Sequence, residues 1–153
     1  MPDDEGRADL REAQLMMRYG EFADAKSFLT HSLDHSLASK FHLRALRARA
    51  AIKSGDFATA KRDIDFVSSL AGREDVARQL SADLLLEQGM LDEAVAAMKS
   101  IQQWGPEVWR HYAKILEWKA SKTPSLTERA ELNKEIQEIL EKYGTHSEFE
   151  PAF

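Results

Sequence analysis

Apolar residues recur at three- and four-residue spacing along most of the chain, which is the period of an amphipathic helix. Leu10, Ala13 and Met17, for example, fall on one side of a predicted helix, and similar faces continue as far as Tyr143. No segment shows the strict alternation that is typical of a half-buried strand. The seven glycines and four prolines lie mostly between these faces. The pattern predicts an all-α protein of about eight antiparallel helices.

Three of the glycines recur at nearly constant distance. Gly20, Gly55 and Gly89 are separated by 35 and 34 residues. Each is followed two residues later by a large apolar residue and five residues later by alanine. Glycine readily adopts the left-handed backbone conformation with which many helices end, so each glycine predicts a sharp corner between two helices. A fixed period of this length indicates stacked helical repeats.

This unit resembles the tetratricopeptide repeat, a helix–turn–helix motif of about 34 residues. When each glycine is set to the fifteenth position, the units begin at Gly6, Phe41 and Asp75. The eighth position, where the family has a small residue, then holds alanine in all three units: Ala13, Ala48 and Ala82. The resemblance covers residues 6–108. It implies an α-solenoid, in which antiparallel helix–turn–helix repeats form a short right-handed superhelix.

The same pattern divides the chain into four segments. These are an acidic N-terminal segment (1–7), a repeat array with the helix that follows it (8–122), a C-terminal capping helix (123–144) and a tail (145–153). Ser125 and Glu128 have the spacing of a capping box at the start of the last helix, and Gly144 is its expected end. A terminal helix with one polar face would cover the core of the final repeat.

Composition narrows the classes of partner. The chain has 153 residues, with 21 lysines and arginines against 26 acidic residues, and this net charge of −5 argues against nucleic acid. The absence of cysteine rules out disulfides and thiolate metal sites. The N-terminus is acidic rather than basic and apolar, and no apolar run approaches the roughly 20 residues that span a bilayer. We therefore expect a cytoplasmic protein with neither a membrane nor a nucleic acid as its partner.

In the resembled family, the first helix of each unit lines a concave groove. Carried over position by position, this resemblance implies twelve partner-binding residues: Arg7, Gln14, Met17, Arg18, His42, Arg49, Ile52, Lys53, Gln79, Asp83, Leu86 and Glu87. The groove would pass from basic to acidic along the array. We expect Arg18, Arg49 and Lys53 to attract acidic groups. Met17, Ile52 and Leu86 would supply apolar contact.

A local excess of positive charge supports part of this expectation. Between residues 40 and 62 there are seven lysines and arginines and a single acid, Asp56. One interpretation is a site for an acidic or amphipathic peptide, and the alternative is a solvated helix face. The lysine and asparagine clamp with which some family members bind a C-terminal carboxylate is missing, because Leu10 and Gln14 stand at its positions in the first unit.

No short motif for phosphate, dinucleotide, nucleophilic or metalloprotease chemistry is present. His31 and His35 have the spacing of two metal ligands on one helix face, with His42 nearby, but they are also explained by the dipole at a helix C-terminus. We expect no catalytic residues, no metal and no cofactor.

The sequence therefore predicts a non-catalytic protein–protein interaction module, adaptor or chaperone-like. It would dock a peptide or helical segment that carries acidic and apolar groups. Three alternatives stay open. One is a scaffold that forms homo-oligomers through Trp118 or the last helix, and another is a small chaperone for secreted bacterial proteins. The third is an enzyme, which would need a deep polar pocket that such an array is not expected to have.

Overall fold

The computed structural model describes residues 2–35 and 40–144, with side chains for residues 7–34 and 40–144. Within these residues it has eight α-helices and no strand, so the predicted all-α class is confirmed. The helices are α1 (Pro2–Arg18), α2 (Phe22–His35), α3 (Lys40–Ser54), α4 (Phe57–Ser68), α5 (Glu74–Glu87), α6 (Leu91–Lys99), α7 (Pro106–Lys122) and α8 (Leu126–Tyr143). None of them combines the length and apolar content needed to cross a bilayer.

Helix α1 begins earlier than the sequence predicted. It starts at Pro2, so residues 2–7 of the expected acidic segment continue the first helix instead of preceding it. Proline suits a first-turn position because its missing N–H has no intrahelical partner there. The tail 145–153 lies outside the described residues.

The three periodic glycines form the predicted corners. Gly20, Gly55 and Gly89 have φ angles of +76°, +83° and +78°, in the left-handed region. At the second corner Gly55 N–H donates to the Ile52 carbonyl at 3.3 Å, and Asp56 N–H donates to the Ala51 carbonyl at 2.8 Å. The same pair of backbone bonds recurs at the other two corners. These bonds satisfy carbonyls that the ending helix leaves without partners.

Packing follows the order of the helices along the chain. Each helix packs against the next one, and the buried residues form three successive clusters, shared by α1–α3, by α3–α5 and by α5–α8. The alanines at the eighth position of the three units are fully buried. Because alanine has only a methyl side chain, it allows two helices to approach closely.

The odd-numbered helices lie on the inner side of the array. Helix α3 contacts α1 and α5 directly, besides contacting its sequence neighbours. Among the described residues the even-numbered helices make no comparable contact with one another. Helices that are closer together on one side of a stack mark the side toward which the stack curves. We call the surface formed by α3, α5 and α7 the inner face.

The basic stretch between residues 40 and 62 does not form one surface. Arg47 donates from Nε to Asp63 Oδ2 and from Nη2 to Asp63 Oδ1, both at 2.7 Å, and Arg44 Nη1 donates to Oδ1 at 3.1 Å. The Asp63 side chain is fully buried between α3 and α4. This corrects the interpretation of the stretch as one peptide site, because two of its arginines stabilise a buried carboxylate just beyond the counted segment.

Asp56 links a corner to the preceding unit. Its Oδ1 accepts from Thr59 N–H at 3.2 Å, and its Oδ2 accepts from Thr59 Oγ1 at 2.7 Å and from Lys26 Nζ at 3.1 Å. The hydrogen bonds from Thr59 and Lys26 favour the charged carboxylate and lower the pKa of Asp56 to about 2. The N-terminus of α4 is thus capped, as is usual for aspartate.

This contact predicts a pH-dependent difference in stability. The folded-state pKa of Asp56 is depressed, so its stabilising effect is complete above the unfolded pKa of about 3.9 and is lost as the pH falls toward about 2. We expect Asp56→Asn to lower the free energy of unfolding at pH 6 and to have progressively less effect between about pH 4 and pH 2. Urea titrations of both proteins at stepped pH measure this difference. A difference that stays constant with pH would contradict the assignment.

Candidate functional site

The twelve predicted partner-binding residues differ widely in exposure. Six are exposed: Arg7, Gln14, Arg18, His42, Lys53 and Glu87. Two are half-buried, Arg49 and Asp83. The remaining four are buried, namely Met17, Ile52, Gln79 and Leu86. Six of the twelve lie on α3 and α5 and belong to the inner face. Five of these six are exposed or half-buried, and the sixth, Gln79, is a buried polar residue.

The expected apolar contacts are corrected by the structure. Met17, Ile52 and Leu86 are 8%, 3% and 6% exposed, and each belongs to a different core cluster. They face the interior because neighbouring helices of the array cover this side of each first helix. Their apolar surface is therefore used between helices. Two other apolar residues, Leu10 and Val76, occupy groove positions of the first helices in the resembled family. Both are half-buried and therefore retain some exposed surface.

A contact between a histidine and an aspartate joins α5 to α7. His111 Nε2 lies 2.6 Å from Asp83 Oδ1, and the two side chains are 9% and 25% exposed. Burial raises the pKa of the Asp83 carboxyl, but attraction to His111, a hydrogen bond from it, and the charges of Arg49 and Lys53 outweigh this effect. The net pKa of Asp83 is below its ordinary value. Its carboxylate is thus held in the charged form by partners from α3 and α7.

Helix α3 contributes two cations to the same face. Burial lowers the pKa of Arg49, and attraction to Asp83 offsets part of this shift. One turn further along α3, Lys53 Nζ lies 3.5 Å from Glu87 Oε1 of α5. The sequence predicted that the groove passes from basic to acidic along the array. In the structure the basic side chains of α3 and the acidic side chains of α5 are neighbours and attract each other. Shifted pKa values of clustered groups at one surface are typical of functional sites.

Gln79 is a polar residue of the inner face whose side-chain amide nitrogen lacks a hydrogen-bond partner among the described residues. It lies on α5, one turn before Asp83, and is 3% exposed. Within the part of the chain that the structure describes, its Nε2 has no hydrogen-bond partner. A buried donor without a partner costs about 1–3 kcal/mol, so such groups are rare in folded proteins.

Sequence reasoning missed His111, because α7 was interpreted only as part of the C-terminal cap. A usable signal was present. Aligning Ala113 with the buried Ala82 places His111 at the position where the two preceding units have Leu46 and Leu80. Those leucines are buried core residues. A histidine at a core position of a repeat indicates a polar partner on the neighbouring unit, which the structure identifies as Asp83.

The histidines and tryptophans that the sequence singled out differ in exposure. His31 and His42 are exposed, and the side chain of His35 is outside the described residues. The side chains that the structure describes include no group of three that could hold a metal ion. Trp109 packs against the C-terminal core cluster and stacks on Tyr143, with ring centroids 5.4 Å apart. Trp118 is 40% exposed.

A polar cleft of about 420 Å³ opens at the start of α5. Its central acid, Asp75, accepts hydrogen bonds from the backbone N–H groups of Gln102 and Gln103, both at 3.0 Å, and from Arg78 at 2.7 Å. Asp75 therefore fastens the α6–α7 loop to α5. Since its carboxylate is already satisfied, the cleft is explained by this loop contact.

Comparison of the chain with family models, with curated proteins and with solved structures finds no match in any of the three. The tetratricopeptide resemblance stays a prediction. The arguments for function are therefore the chemistry and geometry of the inner face.

Proposed function

We propose that the protein is a non-catalytic protein-binding module that holds a segment of a partner protein against its inner face. The observation that carries this proposal is the charge cluster of the inner face, in which Arg49 and Lys53 of α3 lie next to Asp83 and Glu87 of α5. Lys53 and Glu87 are exposed, and Arg49 and Asp83 are half-buried. A face that keeps costly polar groups at low exposure is better explained by recognition than by stability alone.

The donors on this face define the partner's chemistry. Arg49 and Lys53 are cations, so the partner would present carboxylate or backbone carbonyl oxygens. Asp83 and Glu87 balance those cations. One or two acidic side chains on the partner therefore fit better than a long acidic run, which the two carboxylates would repel.

The partner's apolar contact would be limited. Of the apolar residues at the predicted groove positions, Leu10 and Val76 are half-buried and the others lie in the core. An extended segment with isolated apolar side chains suits this surface. A helix with a continuous apolar stripe suits it less, since such a stripe needs a matching apolar groove.

The proposal includes no catalytic step. A histidine next to an aspartate is also found in acid–base sites, but the His111 side chain is only 9% exposed. A general base must come within hydrogen-bond reach of its substrate. The His111–Asp83 pair is better placed to align α7 on α5 than to reach a bound molecule.

Peptides selected from a random display library test the proposal. We expect the intact protein to enrich peptides with one or two acidic residues. Arg49→Gln combined with Lys53→Gln should weaken their binding by roughly tenfold or more, because hydrogen bonds to charged groups contribute about 1.5–3 kcal/mol. Fluorescence anisotropy of labelled peptides measures the Kd. The control is Lys61→Gln with Lys99→Gln, which removes the same charge from α4 and α6.

A second variant separates binding from folding. Gln79→Met keeps a side chain of similar length and removes a buried polar group beneath the charged surface, so we expect unchanged or higher stability and an unchanged Kd. Urea denaturation and anisotropy measure the two effects. If the Arg49 and Lys53 double variant binds peptides as the control does, the inner face is not the binding site.

A further inference from the structure

The repeat register identifies the side of each first helix that faces the preceding unit. Counted from Phe41, the third, sixth and tenth residues of α3 are Leu43, Leu46 and Ala50. All three are buried in the cluster that α3 shares with α1 and α2. In the next unit, counted from Asp75, Ala77 and Leu80 are buried in the same way against α3 and α4. Every later unit thus uses these positions to pack on the one before it.

The first unit has these positions uncovered. Counted from Gly6, they are Ala8, Arg11 and Leu15, and all three are exposed. Leu15 is 44% exposed, and Tyr19, which directly follows the last residue of α1, is 72% exposed. No described residue packs over this strip. We call Ala8, Arg11, Leu15 and Tyr19 the N-terminal face.

The opposite end of the array is different. Its terminal helix, α8, turns its apolar side toward α7. From Thr127 to Lys142, every exposed residue of α8 except Ala130 is polar or charged. Stacking this end on the N-terminal face would place glutamates against Leu15 and Tyr19, which is unfavourable. Head-to-tail growth of the array is therefore disfavoured. This argument does not apply to an interface between two N-terminal faces.

The charges of α1 are complementary to themselves. Arg11 and Glu12 are neighbours, both exposed, and neither makes an ion pair with a described residue. In an antiparallel pair of α1 helices centred between them, Arg11 of each copy faces the second copy's Glu12. The same register sets Leu15 opposite the second copy's Ala8, a large residue against a small one. A two-fold contact of this kind closes on itself and stops at the dimer.

We propose that the N-terminal face is a two-fold interface with a second copy of this chain. The interface is small, so the dimer forms reversibly and dissociates on dilution. It uses a surface other than the inner face, and its test is independent of peptide binding. In the dimer the α1 helices of the two copies cover each other, in the way that each preceding unit covers α3 and α5.

Sedimentation equilibrium over a wide concentration range tests the proposal with the full-length chain. We expect a monomer–dimer equilibrium without larger species, and Leu15→Glu should shift it to monomer. The matched control is Leu126→Glu, which changes an exposed leucine of α8 to the same acid and should leave the equilibrium unchanged. Circular dichroism confirms that both variants stay helical. A monomer at all concentrations, or species that grow beyond the dimer, would overturn the proposal.

A charge exchange tests the antiparallel register. Arg11→Glu places two glutamates against two glutamates, and Glu12→Arg places two arginines against two arginines, so each variant alone should dimerise severalfold more weakly. An equimolar mixture of the two should regain the dimer, because each interface then joins opposite charges. A mixture that remains monomeric contradicts the proposed register, as would single variants that dimerise like the original chain.

Discussion

Replacing Asp63 by alanine is expected to cause one of the two largest losses of stability. The Asp63 carboxylate is fully buried and accepts three hydrogen bonds from Arg44 and Arg47. Removing one partner of a buried ion pair costs about 3–5 kcal/mol, because the remaining charge is left unpaired in a poor solvent. The Arg44 side chain is 32% exposed and regains water, so we place the loss near the lower end of that range, about 3 kcal/mol.

Asp65→Ala is the matched control for this prediction. Asp65 lies on the same helix, its side chain is 67% exposed, and its Oδ1 is 4.0 Å from Lys61 Nζ. Exposed pairs of this kind contribute about 0–1 kcal/mol. Urea denaturation followed by circular dichroism measures both variants. Equal effects of the two substitutions would mean that Asp63 is not the buried centre that links α3 to α4.

Leu80→Ala is expected to cause a loss of similar size for a different reason. Leu80 is 1% exposed and lies in the cluster shared by α3, α4 and α5. Truncating a buried leucine removes apolar burial and leaves a cavity, which together cost about 2–5 kcal/mol. Because this cluster joins the second unit to the third, the change weakens the middle of the array.

Leu126→Ala is the corresponding control. Leu126 is the first residue of α8 and is 77% exposed, so its truncation removes little buried surface. Substitutions at such sites usually change stability by no more than about 0.5 kcal/mol. The same urea measurement compares the two leucines. A small effect at Leu80 would indicate that the middle of the array packs more loosely than the buried cluster implies.

The buried ion pair and the inner face use different charges in this molecule. Arg47 is hydrogen-bonded to the buried carboxylate between α3 and α4, whereas Arg49, two residues later, turns toward Asp83 on the inner face. Successive helical residues point in directions about 100° apart, so neighbouring cations in the sequence reach opposite sides of one helix. A charge count along the sequence cannot distinguish them.

The architecture was accessible from the sequence because it depends on local rules. Gly20, Gly55 and Gly89 have positive φ angles, which glycine adopts without the steric strain of a Cβ atom. The alanines of the eighth position are buried because the close approach of two helices excludes larger side chains. Ser125 accepts from Glu128 N–H at 3.3 Å, as the capping spacing predicted. Each of these features involves residues that are close along the chain.

The candidate site was only partly accessible, because its contacts join residues that are distant along the chain. The sequence prediction placed Arg49, Lys53, Asp83 and Glu87 on α3 and α5 of this face, but it did not include α7. It did not indicate that Lys53 and Glu87 pair across two helices, or that His111 contacts Asp83. It also assigned partner contacts to apolar residues that the structure buries in the core, as Ile52 illustrates.

The sequence alone thus determined the helical class, the period of the repeat and its corners, since these follow from backbone preferences and local spacing. Only the tertiary structure decided which charges are buried with a partner and which remain at a surface. The reason is physical. A side chain's exposure and partners depend on the neighbouring helix, and the relative rotation of two packed helices is set by all of their contacts together.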